Sequence, residues 1–221
     1  MLLIKLTFRQ LPEIGMIFMI RKIALALIFL TSCSNIAYSE QARFIVGYFG
    51  SFESDTVSEE YFKNAKFSFA NVKIGRGPAS TIVLAYINDG VYEWRSADNI
   101  KIYTNKEILL RSSGFETDAR YFYDILPQLA DGFSGSGFLT FRNPDLIRAK
   151  FSYEIENLGD AVITRFGKDV NVTLFKETIY VPLIKWQAEN IYYTSGDGNI
   201  IRSINEHNPR VPKIKIDFFY K

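Results

Sequence analysis

Short segments in which polar and apolar residues alternate are the feature that most constrains the fold of this 221-residue chain. In residues 149–156, the side chains of Phe151, Tyr153 and Ile155 fall on one face of an extended strand and polar side chains fall on the other. Residues 213–220 show the same two-residue period, and the aromatic content of 15% also favours strands. The pattern predicts a mainly β single domain of about eleven antiparallel strands, folded as a curved sheet or a partly open barrel or sandwich.

Turn residues place the hairpins between these strands. The tripeptide Asn88-Asp89-Gly90 predicts a tight hairpin after residues 81–87. Because residues 81–87 are apolar on both faces, they are expected to form a central strand that is covered on both sides. Asn105-Lys106 and Gly196-Asp197-Gly198 predict two further hairpins.

The fold is expected to contain one or two short helices. Thr56 and Glu59 have the spacing of a capping box and predict a helix over residues 57–65. Residues 121–129, which Pro127 interrupts, fit either a second short helix or an irregular crossing.

Three local features complete the expected secondary structure. Three glycines within residues 132–137 predict a flexible loop, and residues 157–160 predict a turn. A change of apolar phase along residues 170–181 predicts a β-bulge near Leu174.

The first part of the chain has the layout of a secretory leader. Arg21 and Lys22 precede eight apolar residues, and small residues then lead to Cys33, the only cysteine. This segment resembles the lipobox of bacterial lipoproteins, in which the cysteine is diacylated and the chain is cut before it. Eight apolar residues are far fewer than the roughly 20 that a membrane-spanning helix requires.

The leader sets the expected domain organisation. We predict a signal peptide over residues 1–32, a lipidated N-terminus and tether over 33–55, and a β-rich periplasmic domain over 56–221. A translation start at Met16 or Met19 would give a more compact leader. Ser34 stands where an aspartate retains similar enterobacterial lipoproteins at the inner membrane, so the expected location is the periplasmic face of the outer membrane.

The net charge excludes one class of partner. The formal charge is +2, but the leader contributes four basic residues and one acidic residue, so the mature chain carries −1. A nearly neutral chain has no basic field for nucleic acid. The expected membrane contact is therefore the lipid on Cys33 alone.

The sequence shows no catalytic constellation. The single histidine, His207, stands beside Asn208-Pro209 and is expected to be a solvated loop residue. Glu154 and Glu156 share a strand face about 7 Å apart, but that face also carries lysine and serine, which favours a solvated surface over a glycosidase pair. We therefore expect no enzyme activity, no metal and no cofactor.

Two stretches of the chain resemble a known family. The first runs from residue 82 through the apolar strand 82–87, Glu93-Trp94-Arg95-Ser96-Ala97-Asp98 and the hairpin around residues 102–110. The second contains Trp186, Tyr192-Tyr193, Gly198, residues 201–203 and a final strand that follows Pro212. Their order resembles the group-four capsule polysaccharide lipoproteins, the GfcB/YjbF family. The resemblance implies a curved antiparallel sheet with some likeness to lipoprotein carriers such as LolA, and no enzymatic activity.

The resemblance also implies a function and partners. The expected role is that of a non-enzymatic accessory in capsule or exopolysaccharide production or secretion, in contact with an outer-membrane barrel protein, periplasmic export components or the glycan. The alternative is a carrier that shelters an acyl chain or another apolar ligand in a curved sheet. Four side chains are candidates for glycan or partner contact, although the alternation around Trp94 also fits a core position: Trp94, Trp186, Tyr192 and Arg202.

Replacement of the lipobox cysteine tests the predicted anchor. Cys33→Ala removes the thiol that would form the thioether, so we expect a soluble or unprocessed precursor form. Membrane fractionation and labelling with a fatty acid measure this outcome. Unchanged membrane association together with unchanged labelling would contradict the prediction.

Overall fold

A computed structural model describes residues 57–142 and 145–221, in which twelve antiparallel strands form one closed barrel. Each strand pairs with the next one along the chain, and β1 also pairs with β12, which closes the sheet. The prediction of a mainly β single domain is confirmed, and the sheet closes completely. The strands are β1 Phe69–Ile74, β2 Ala79–Asn88, β3 Val91–Arg95, β4 Lys101–Asn105, β5 Ile108–Ser113, β6 Ala119–Tyr123, β7 Ser134–Phe141, β8 Leu146–Arg165, β9 Lys168–Val181, β10 Trp186–Thr194, β11 Ile200–Asn205 and β12 Ile214–Phe219.

Inward-facing apolar side chains fill the barrel in two clusters. The first lies where β1 meets β12, and there Ala70 stands opposite Phe218 and Val72 opposite Ile216. The second lies on β6 to β10 and includes the alternating residues that the sequence places on one face of β8. Phe175 and Tyr123 pack against both clusters and join them into a continuous core.

The expected flexible loop at residues 132–137 is wrong, because β7 begins at Ser134. Its glycines are required by close packing rather than by mobility. A Cβ on Gly137 would lie 2.3 Å from the carbonyl oxygen of Phe122 and 2.7 Å from the Phe151 ring. These glycines let large aromatic side chains of β8 lie directly against the β7 backbone.

The predicted turn at residues 157–160 is also wrong, since β8 runs unbroken through it for 20 residues. The register shifts between Asn157 and Gly159, so the bulge lies on β8, on the strand opposite the expected position at Leu174. The Asn157 Oδ1 accepts the Gly159 N–H at 2.8 Å, and Gly159 has a φ of +88°. A side-chain cap and a left-handed glycine thus form a bulge within a strand as readily as a turn.

One short helix, α1 (Glu59–Asn64), covers the outside of the β1–β12 seam. The helix is predicted correctly, but its cap is Ser58, whose Oγ accepts the Tyr61 N–H at 3.0 Å. Thr56, the predicted cap, lies outside the described residues. Phe62 of α1 packs against Phe166 from the tip of the β8–β9 hairpin and against Phe219 of β12.

Arg165 fastens the tip of the β8–β9 hairpin to the same seam. Its guanidinium donates to the main-chain oxygens of Ile201 and Phe218 and lies 4.3 Å from the centre of the Phe219 ring. Desolvation lowers the pKa of Arg165, but an arginine stays charged at any physiological pH. The hairpin and α1 therefore protect the strand pair that closes the barrel.

Two further expectations differ from the structure. Residues 81–87 are not covered on both sides, since Val83 and Tyr86 of β2 are exposed on the outer surface of the barrel. A closed barrel buries only its inner face, and nothing in the described part of the chain covers this outer one. Of the two alternatives for residues 121–129, the helix is wrong, because β6 occupies their start and irregular backbone follows it, as the irregular crossing predicts. Within residues 57–142 and 145–221, no helix has the length and apolar character needed to cross a membrane.

Gly137→Ala tests the close approach of β7 and β8. The added methyl group would overlap both the Phe122 carbonyl and the Phe151 ring, so we expect a loss of about 1–3 kcal/mol in unfolding free energy or failure to fold. Urea denaturation measures the effect. Gly196→Ala is the matched control because no atom lies within 4 Å of the added carbon there. Equal stability of the two variants would contradict this account of β7.

Candidate functional site

The structure places two of the four predicted contact residues in the core. Trp94 is 0% exposed and donates its indole N–H to the Thr104 Oγ1 at 3.0 Å. Tyr192 is 1% exposed, and its hydroxyl donates to a carboxylate inside the barrel. Neither ring has a free face on which a sugar could stack, so both act as core residues.

The other two predicted residues lie at the surface but do not form one platform. Trp186 begins β10, whereas Arg202 on β11 stands opposite Tyr193, seven residues further along β10. Seven residues of strand span roughly 23 Å, which is more than one sugar ring covers. Arg202 lies 5.6 Å from the centre of the Tyr193 ring and pairs with Asp217.

A buried carboxylate is the main polar feature of the interior, and the sequence reasoning did not identify it. Glu177 on β9 is 0% exposed and accepts hydrogen bonds from Tyr123, Asn190 and Tyr192 at 3.0, 2.8 and 2.7 Å. Desolvation raises the pKa of Glu177, although the three donors counteract it. Its inward direction follows from the two-residue period with Ile179 and Val181, and this period is the signal that could have revealed it.

The expectation that His207 is a solvated loop residue is wrong, since it is 2% exposed. The connection between β11 and β12 folds into the barrel. The His207 Nε2 lies 2.8 Å from the Ser112 Oγ. The main-chain oxygen of His207 accepts a hydrogen bond from the Tyr121 hydroxyl at 2.7 Å. Burial lowers the pKa of His207 to about 3, so the ring is neutral at physiological pH.

These interior groups support the fold through their hydrogen bonds. The three donors surround the Glu177 carboxylate and occupy the positions that a substrate would need. No group of three or more histidine, cysteine, aspartate or glutamate residues in the described ranges is arranged to hold a metal ion. Glu154 is exposed on the outer face of β8, and Glu156 pairs with Lys176.

One end of the barrel has an open groove of about 460 Å³ around Trp186. Phe141 and Trp186 meet edge to face there, with their ring centres 5.3 Å apart. Lys185, Arg210 and Asp145 add charges to the lining of this mainly apolar groove. Trp186 is therefore the one predicted aromatic residue that lines an accessible concave surface.

Comparison with known proteins identifies the family. A model described as group 4 capsule polysaccharide lipoprotein GfcB, YjbF matches residues 48–219. The chain belongs to this family. The YjbF family is a lipoprotein family related to capsule polysaccharide, as the sequence resemblance implies. No match was found among curated proteins.

One solved structure shows the same fold. The hypothetical lipoprotein YmcC from Escherichia coli K12 is 17% identical and superposes with a TM-score of 0.64. The match covers 75% of this chain and 90% of the YmcC chain. A putative lipoprotein from Parabacteroides distasonis is 9% identical over 71% of this chain and 95% of its own, with a TM-score of 0.33. The similarity to YmcC shows that the YjbF-family chain shares its fold.

The pH dependence of stability tests the buried carboxylate. Because the folded pKa of Glu177 is raised, its contribution to stability falls as pH rises from the ordinary value of 4.5 through the folded pKa. Glu177→Gln has no ionisable group there and avoids that loss. We therefore expect the unfolding free energy of the variant, relative to that of the wild type, to increase as pH rises from about 4 to about 8, as measured by urea denaturation.

Glu154→Gln is the matched control, because Glu154 is exposed on the outer face of β8. Its unfolding free energy should follow the wild type at every pH. A pH-independent difference between Glu177→Gln and the wild type would contradict the raised pKa.

Proposed function

We propose that this protein is a lipid-anchored lipoprotein on the periplasmic face of the outer membrane, and a non-enzymatic accessory in capsule or exopolysaccharide production or secretion. It acts by contact with an export partner or with the glycan. The observation that carries the proposal is a barrel filled by its own side chains in a member of a capsule polysaccharide lipoprotein family. The anchor is the lipid on Cys33.

The packed interior favours contact over carriage. Trp94, Tyr192 and Phe218 fill one part of the barrel, and Ile155 and Ile179 fill the other. Aromatic contacts join these groups, and the polar group among them, Glu177, is fully hydrogen-bonded. An acyl chain would have to displace tightly packed side chains, and such displacement is costly.

The outer surface is left for partners. The proposed ones are an outer-membrane barrel protein, periplasmic export components and the polysaccharide, whereas nucleic acid is excluded by the near-neutral mature charge. Of the residues first considered for contact, Trp186 in the groove and Arg202 on β11 have accessible positions.

Complementation of a gene deletion tests the proposal. We expect deletion to lower surface or secreted polysaccharide and the wild-type gene to restore it. Glu154→Ala should also restore it, because exposed substitutions usually change stability by within about 0.5 kcal/mol and this carboxylate has no catalytic role. Cys33→Ala should not restore it, because the protein would lack its anchor.

The readouts are the amount of polysaccharide and the amount of correctly localised protein. Loss of secretion with a stable, correctly localised Glu154→Ala protein would contradict the non-enzymatic role. Normal polysaccharide in the deletion strain would contradict the function itself.

A further inference from the structure

Four arginines on the outer surface of β3 to β8 each lie against an aromatic ring. We call this surface the arginine–aromatic face. The guanidinium carbon stands 4.3 to 5.0 Å from the ring centre in every pair. The pairs are Arg95 with Tyr86, Arg111 with Tyr103, Arg120 with Phe122, and Arg148 with Phe138.

Strand register arranges this face as a band across the sheet. Six residues form a row from β2 to β7, in which each residue is paired with the next one on the neighbouring strand. Paired residues on neighbouring strands direct their side chains to the same side of the sheet. They are Tyr86, Glu93, Tyr103, Arg111, Arg120 and Thr140. Arg148 extends the band on β8, since its N–H bonds the Thr140 hydroxyl. The band therefore runs in a line across the strands, and a linear ligand could lie along it.

The centre of the band places two cations side by side. Arg111 and Arg120 are paired across β5 and β6, and like charges directly opposite each other on a sheet are unfavourable. Among the described residues, no ion pair involves Arg111, Arg120 or Arg148. The fold thus carries an uncompensated positive pair that an anion would stabilise.

The carboxylates close to this pair are already engaged. Asp118 accepts the N–H groups of Gly114 and Phe115, and Asp124 accepts the Ser136 hydroxyl. Glu93 pairs with Arg95 at the β3 end of the band. The described arginines of this face that have no ion pair therefore lie on β5, β6 and β8.

We propose that the arginine–aromatic face binds an acidic polysaccharide that carries carboxylate groups. A guanidinium held against a ring loses less freedom on binding than a mobile one and presents N–H groups that fit a carboxylate in a bidentate geometry. Several such sites in one band suit a linear polymer with repeated carboxylates. The inference rests on the proposed function and names the chemical class of the glycan.

A membrane surface fits this face less well. Membrane-binding surfaces insert apolar side chains below the lipid headgroups. Here a guanidinium lies over the ring of Phe122 and over that of Phe138, so a charged group covers part of each ring. The charge is also carried by arginines in register rather than by a mobile basic segment.

Affinity electrophoresis tests the proposal with polygalacturonate in the gel, and with neutral dextran as the comparison. The full chain carries Cys33→Ala in all samples so that the lipid does not contribute. We expect retardation by polygalacturonate and not by dextran. The double variant R111Q/R120Q should weaken binding about tenfold or more, because two charge-assisted sites are removed.

The matched control is the double variant K66Q/R76Q, which removes the same charge from exposed positions outside the band. It should bind like the unmodified chain. Thermal melting checks folding, and R111Q/R120Q should melt close to the wild type, because the lost arginine–ring contacts and the removal of the opposed cations offset each other. Equal weakening by both double variants would overturn the proposal in favour of unspecific charge attraction.

Two other results would also overturn it. One is binding to phosphatidylglycerol vesicles without binding to polygalacturonate, which would assign the face to a lipid surface. The other is the absence of polygalacturonate binding while gene deletion still lowers surface polysaccharide. That second result would reject the acidic glycan and leave the accessory function standing, so the two failures are distinguishable.

Discussion

The pairing of β1 with β12 is the contact on which the rest of the structure depends. It joins residues 140 to 150 positions apart, from Ile74 opposite Ile214 to Phe69 opposite Phe219, and it converts an open meander into a barrel without edges. The same strands direct Ala70 and Phe218 inward to begin the core. Outside, Phe69 and Phe219 stack with ring centres 4.8 Å apart beneath α1 and the β8–β9 hairpin. The seam is thus stabilised from both faces.

The closed interior explains why so much polar chemistry is buried without forming an active site. The Glu177 carboxylate accepts three hydrogen bonds and the His207 Nε2 bonds with Ser112, and desolvation shifts the pKa of each group toward its uncharged form. A buried network of this kind favours one arrangement of strands over others, because any slip in register leaves its members unpaired. The interior chemistry therefore serves the uniqueness of the fold.

The proposed function accordingly uses the outside of the barrel. The YjbF-family chain presents a groove around Trp186 at one end and the arginine–aromatic face on its side. The lipid anchor proposed at Cys33 would keep these surfaces close to the membrane, where a polysaccharide export partner would be met.

The sequence alone determined the local features of this protein. Alternation in residues 149–156 identified the core face of β8, Asn88-Asp89-Gly90 located a hairpin, and the order of motifs identified the family. These succeed because side-chain direction in a strand and turn geometry depend on neighbouring residues. Tertiary structure decided which faces are covered, so β2 lies exposed and His207 is buried. It also decided that residues 157–160 continue a strand, because a capped glycine fits a turn or a bulge, and only pairing with β9 selects between them.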